Sequence, residues 1–351
     1  MNNVTQAIGQ VLTTMLTRPT SSTSGYYICW FKADSAEQYM FIYSMMCYVN
    51  PAVSIFGFTA NMMSLAILQR NGLHKPSNIL LFSLVIADSM CLMTTLNYGQ
   101  IILFFGPNKP FPIYCGFQYE DTVGYFLAIS SAIFNTIGWW GHYTSTILPF
   151  LITLERILAI FRPLTFKAVV TTAKTGIAVI CPFILCLIYT LTENSYFEIS
   201  KIRLTKTVNW IALVDNIPKF FEPVEIYFFD GFLSWFSVAF ITFGCLIIWI
   251  KVKNTLKQRR NLTSSRNKLT WSPRTTRTLI LTCLIFSLTR GACSLFFIMY
   301  VCYNETQMHA RNQLGLFLYA INASNSLFVY ILSNRKLCQN FKSIMHISKT
   351  K

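Results

Sequence analysis

Seven apolar stretches, each long enough for the roughly 20 residues that carry a helix across a bilayer, divide this chain near 41–69, 78–104, 130–160, 174–192, 226–250, 276–302 and 312–333. Hydrocarbon offers no partner to a backbone N–H or C=O, so each stretch must satisfy its own and become a helix. The charged fraction agrees, at 12% of residues where a soluble domain carries about a quarter. The expected fold is therefore an all-α membrane protein. A seven-transmembrane helix bundle spans 41–334, with an N-terminal segment over 1–40 and a tail over 335–351. In the tail, Leu337, Phe341, Ile344 and Met345 recur at helical spacing among Arg335, Lys336 and Lys342. That pattern predicts a short amphipathic helix on the membrane surface. Cys338 beside it is a lipidation candidate, although an unmodified thiol is the commoner state of such a residue.

Charge placement orients the bundle. Short cytoplasmic loops carry excess Lys and Arg, and most of the 29 basic residues lie on one side of the seven stretches. The loop after the fifth stretch alone holds nine, from Lys251 and Lys253 to Arg274 and Arg277, with no acid among them. Of the 13 acidic residues, all but Asp88 and Glu155 lie on the other side. These patterns predict a multi-pass plasma-membrane protein with an extracellular N-terminus and a cytoplasmic C-terminus. The run from Val11 to Leu16 is too short and too polar for a signal peptide, so the first stretch is expected to act as the anchor. The net charge of +16 then belongs to the cytoplasmic face, where it suits membrane lipids. It does not indicate a nucleic-acid partner, which would need a soluble basic domain.

Asn3 and Asn304 head Asn-x-Thr sequons on the outer side and are glycosylation candidates. Of the 11 cysteines, most fall within the apolar stretches; Cys29, Cys115 and Cys302 fall outside or at the outer edge. Cys115 can pair with Cys29 or with Cys302 in an oxidising compartment, and sequence does not choose between them.

Polar residues inside the stretches carry the functional information, because they are expensive there and are kept mainly for a role. Residues 154–164 read Leu-Glu-Arg-Ile-Leu-Ala-Ile-Phe-Arg-Pro-Leu where the third stretch meets a basic loop. The first stretch contains Gly57-Phe-Thr-Ala-Asn61, and the second ends its polar pattern at Ala87-Asp88. The seventh reads Ile321-Asn-Ala-Ser-Asn-Ser-Leu-Phe-Val-Tyr330. Together these resemble the signatures of rhodopsin-like (class A) G-protein-coupled receptors, over roughly residues 50–340. Weakened signatures elsewhere make the chain look like a divergent invertebrate chemosensory or neuropeptide-type member.

The resemblance implies roles. Glu155 and Arg156 would pair at rest, and Arg156 would face a heterotrimeric G protein once released, with Tyr330 part of the same machinery. Asn61, Asp88, Ser145, Asn322 and Ser326 would form a polar pocket that can hold a sodium ion at Asp88, and no other cofactor is implied. Asp88 has a plainer reading as a protonated, hydrogen-bonded packing residue, and the Glu155–Arg156 pair one as a structural ion pair.

Departures from the family are as informative. Thr289-Arg290-Gly291-Ala292 stands where Cys-Trp-x-Pro is usual, so Arg290 takes the place of the toggle tryptophan. It would contact an acidic group of the ligand or an outer loop, or form a structural pair. Leu327 replaces the usual Pro of the seventh span, and Pro149 interrupts the third. The second outer loop, about 193–225, contains no cysteine, so the family's usual bridge to it cannot form. Gly138 stands where amine receptors carry an Asp, which disfavours an amine ligand. Trp139 and His142 are ligand-binding candidates on the same helix. His142 also reads as a proton-sensitive group or a hydrogen-bonded core residue, and Trp139 as a packing aromatic.

The expected function is a receptor that binds an extracellular neuropeptide or chemosensory small molecule and activates a G protein. The alternative from another class is a multipass transporter or channel using intramembrane Asp88 and Arg290. An enzyme is not expected: the four histidines are scattered, and no metal cluster or nucleophile–base pair is visible.

Overall fold

The computed structural model describes residues 25–32, 36–70, 72–105, 113–119, 121–204, 232–261, 285–292 and 305–325. Helices dominate. In chain order they are α1 (Ala36–Ser44), α2 (Asn50–Arg70), α3 (Pro76–Cys91), α4 (Tyr98–Phe105), α5 (Asp121–Phe161) and α6 (Pro163–Val169). Then come α7 (Thr172–Leu204), α8 (Ser234–Asn261), the helical turns α9 over 285–292, and α10 (Glu305–Ser324). A single π-helical turn, Met45–Val49, joins α1 to α2 into one long rod.

Among the described residues, five helical segments are long and apolar enough to cross a membrane: Glu37–Arg70, Pro76–Thr94, Ile129–Phe161, Thr172–Thr192 and Ser234–Asn254. These are the first five predicted spans. The sixth is described only over α9, and the seventh over α10. Two short strands, β1 (Gly25–Lys32) and β2 (Ile113–Tyr119), pair antiparallel beside the bundle, an addition that the apolar pattern does not foresee. The amphipathic tail helix and Cys338 lie outside the described residues.

Local chemistry sets the ends. Gly72, at φ +77°, takes the left-handed conformation that closes α2, and its N–H donates to the Gln69 carbonyl at 3.1 Å. Pro76 then opens α3, where a missing N–H is harmless. The predicted second span breaks where Thr94 and Thr95 turn their hydroxyls back onto the Cys91 and Leu92 carbonyls, each at 2.9 Å. Such back-bonding competes with helix propagation, and Asn97 ties the turn to the Ser131 carbonyl at 3.0 Å.

Pro149 does not interrupt the third span. α5 runs through it for 41 residues, about 60 Å at helical rise, because the lost hydrogen bond is one among many and neighbouring spans hold the rod on both sides. The fifth span is described from residue 232, where a π turn at 232–233 leads into α8. α7 and α8 overrun theirs, to Leu204 and Asn261.

The core lies where α3, α5, α7, α8 and α9 converge, on Leu84, Leu148, Val179, Ile241, Ile248 and Phe286. The outward faces are as apolar as the inner ones. On α7, Ile177, Ile180, Ile184, Leu185, Ile188 and Leu191 are all exposed, and on α8 so are Phe243, Leu246, Ile247 and Ile250. A contiguous apolar wall of this size is incompatible with water and suited to lipid.

Spans two and three approach most closely. A Cβ on Gly141 would overlap the Cys91 backbone nitrogen and the Ala87 carbonyl, and one on Gly138 would overlap Thr94. The absence of side chains at both positions is what lets the two helices touch.

Candidate functional site

Functional residues gather at two levels of the bundle. At the basic end, Glu155 is 6% exposed and Arg156 24%. Nε of Arg156 lies 3.2 Å from Oε2 of Glu155, close enough for attraction though not aligned for a hydrogen bond. Ser77, in the first turn of α3, donates to the other carboxylate oxygen at 2.9 Å. Ion pairs this near solvent contribute at most about 1 kcal/mol, so the charged hydrogen bond from Ser77 matters comparably. Beyond this level α8 continues as a basic helix, with Lys251 over the Phe161 ring and Lys253 over the Trp249 ring.

Fourteen residues earlier on α5, about 20 Å away along the axis, is a buried polar core. Asp88 is 4% exposed, Asn61 is fully buried and Ser145 is 5% exposed. Asn61 donates its amide to the Ala323 carbonyl at 3.0 Å, joining the first span to the last. Higher up, the Asn50 amide joins the same two helices through Gln313 Oε1 at 3.1 Å. Asn322 accepts a 2.8 Å hydrogen bond from Thr289, joining the seventh span to the sixth.

Arg290, next to Thr289, is 4% exposed. Its guanidinium meets Nε2 of His142 at 3.2 Å and donates to the Thr146 hydroxyl. It also lies 4.6 Å from the centre of the Tyr319 ring, a cation–π distance. A guanidinium only donates, so a ring nitrogen of His142 must accept, which makes that imidazole neutral. The Nε of Arg290 has no partner among the described residues.

Above this core a narrow crevice, with room for about one water molecule, lies between spans two, three and seven. Its wall is Cys91, Leu92, Thr94, Thr95, Trp139, His142, Leu316, Tyr319 and Ala320. No side chain in that wall is charged once His142 is neutral. Trp139, His142 and Tyr319 form an aromatic series, with ring centres 5.2 Å and 4.3 Å apart.

Of the candidate ligand contacts, Trp139 and His142 line the cavity, while Arg290 lies behind His142 and Tyr319. Gly138 faces Thr94 and has no room for any side chain. Of the polar pocket, Asn61, Asp88 and Ser145 are buried and Asn322 half-buried; Ser326 and Tyr330 lie outside the described residues, as do Asn3, Asn304 and Cys302. Cys29 and Cys115 face each other in the register of the strand pair.

Sequence reasoning did not find Ser77, Thr146 or Tyr319. Tyr319 carried a usable signal, since it precedes Asn322 by three residues and shares its helix face. Ser77 and Thr146 carried none.

A long rod-like bundle faces lipid on its outside and carries a polar core, a charged lock at one end and a cavity toward the other, as membrane receptors do. The family described as 7 transmembrane receptor (rhodopsin family) matches residues 60–328. The chain belongs to that family, and with it to the seven-span helical bundle expected from the apolar pattern. The family assignment disfavours the transporter reading. The chain is also similar to an FMRFamide receptor of Drosophila melanogaster, 25% identical over 301 residues, covering 82% of this chain and 51% of the fly protein. It thus spans about half the length of that relative.

Proposed function

We propose that this protein is a receptor for an extracellular amidated peptide and that it signals through a heterotrimeric G protein. The observation that carries the reading is the likeness to the fly FMRFamide receptor, and the aromatic wall of Trp139, His142 and Tyr319 agrees with it. The crevice has room for about one water molecule, so a ligand side chain would enter it only as the spans part. Its aromatic series would stack on an aromatic ring, and the Thr94 and Thr95 hydroxyls would serve a neutral terminal amide. The fly relative is an FMRFamide receptor, which supports the same ligand class. A small chemosensory molecule would leave the outer surfaces of the bundle unused.

In this reading the basic ends of α5 and α8 face the cytoplasm, where Arg156, released from Glu155, meets the G protein. An agonist shifts the bundle only insofar as it binds the active arrangement more tightly. The opposite end is extracellular, and there the strand register supports a Cys29–Cys115 bridge in place of the family's usual one. The test is a G-protein activation screen of amidated peptides, their free-acid forms and an odorant panel, with Arg156→Ala in parallel. Activation by amidated peptides, lost in Arg156→Ala, is expected. Activation by odorants alone would overturn the ligand class, and activity untouched by Arg156→Ala would overturn the coupling role.

A further inference from the structure

The resemblance to rhodopsin-like receptors implies a sodium ion among Asn61, Asp88, Ser145, Asn322 and Ser326. A hard cation needs a carboxylate and several free oxygens around it. Here Ser145 donates its hydroxyl to the His142 carbonyl at 3.1 Å and keeps its oxygen lone pairs open, so the oxygens alone do not exclude an ion. Asn322 Oδ1 already accepts from Thr289, and Asn61 is turned by its amide toward Ala323, leaving its own Oδ1 unpaired.

Charge decides the matter. Cys91 stands one helical turn from Asp88, and its Sγ is 4.0 Å from Nδ1 of His142. That Nδ1 is in turn 3.5 Å from Nη1 of Arg290. Cys91 thus stands between the helical turn that carries Asp88 and the guanidinium of Arg290. The same dry core therefore holds a carboxylate and a guanidinium that is always charged. A sodium ion would bring a second positive charge against one negative, so these residues do not fit it.

We infer that Arg290 is a tethered cation that replaces sodium: its guanidinium balances Asp88 across the core, and the protein does not respond to sodium. A bound ion is held by its ligands alone, whereas this cation is covalently fixed to the sixth span and aimed by His142, Thr146 and Tyr319. His142 and Tyr319 are also cavity wall. On the receptor reading, an agonist side chain touching them acts on the residues that aim the cation.

The inference is tested without any agonist, so a failed ligand screen does not bear on it. The full-length chain, purified in lipid nanodiscs, is melted in sodium chloride and in N-methylglucamine chloride at equal ionic strength. The wild type is expected to melt at the same temperature in both. Arg290→Gln is expected to melt several degrees higher in sodium, since an ion that binds only the folded state stabilises it. That gain should vanish in Arg290→Gln/Asp88→Asn, and Arg290→Lys, which keeps the charge, should stay insensitive. A sodium-specific shift in the wild type that Asp88→Asn removes would overturn the inference, as would a folded Arg290→Gln with no sodium response. If Arg290→Gln fails to fold, adding Asp88→Asn should restore folding by removing the uncompensated charge. Failure of that rescue overturns the balance proposed here.

Discussion

Ser77, in the first turn of the second span, donates a 2.9 Å hydrogen bond to Oε1 of Glu155 near the end of the third. It leaves the second oxygen of the carboxylate to Arg156, so the arginine lock rests on a partner from another helix. A buried carboxylate with a single weak ion pair would be free to rotate; the hydroxyl fixes which oxygen faces the guanidinium.

Ser77→Ala should therefore loosen the lock without disturbing the fold. Losing a hydrogen bond to a charged group at this partly buried site is worth about 1 kcal/mol or more. Agonist-free nucleotide exchange on a reconstituted G protein should rise ~5-fold. An unchanged basal rate at equal receptor density would show that Glu155 needs no such anchor.

Trp139 stands in the cavity wall against His142. If an aromatic ligand residue stacks there, Trp139→Ala removes a buried aromatic anchor worth about 2 kcal/mol. Peptide affinity should fall ~30-fold in competition binding, while affinity for analogues lacking the aromatic terminus stays low and unaltered. Equal loss for every analogue would point to a distorted bundle.

Gly141→Ala tests the closest helix approach. The added methyl meets the backbone of Cys91 and the Ala87 carbonyl, neither of which can swing away as a side-chain tip would. Overpacking of this kind costs about 1–3 kcal/mol, read as a lower melting temperature of the purified protein. Gly176→Ala, where nothing lies within 4 Å, should leave that temperature unchanged or slightly raised. The two results reversed would contradict the packing described.

Opposed positions of an antiparallel pair set their Cβ atoms ~5 Å apart, within reach of disulfide geometry. Non-reducing peptide mapping should recover Cys29 linked to Cys115, and Cys29→Ser should free Cys115 to alkylation. By chain entropy a loop of this size adds on the order of 4 kcal/mol, so the variant should also melt earlier. Recovery of a Cys115–Cys302 peptide instead would refute the pairing.

The spans were legible because a bilayer imposes length and apolarity on contiguous sequence. Asp88, Asn61 and Arg156 were legible because charges and amides stand out against that background. What sequence did not disclose is relational. Nothing in the local pattern places Ser77 against Glu155, 78 positions away, or turns Arg290 toward His142 on another helix. The break after Thr94 was missed because Thr and Asn look compatible with an apolar run until their hydroxyls and amides choose backbone partners. Pro149 misled in the other direction: a proline that would break an isolated helix is tolerated where the rest of a long rod is held.

At Gly141 the third span meets the backbone of the second at Cys91 and Ala87, and at Gly138 it rests directly on Thr94. Two rods so joined behave as one stiff post, and rotating one against the other would drive backbone into backbone. On the receptor reading proposed above, movement between the crevice and Arg156 would then run through the sixth and seventh spans, where Arg290 meets His142, Thr146 and Tyr319 through side chains. Two missing methyl groups would thus decide which pair of spans moves least.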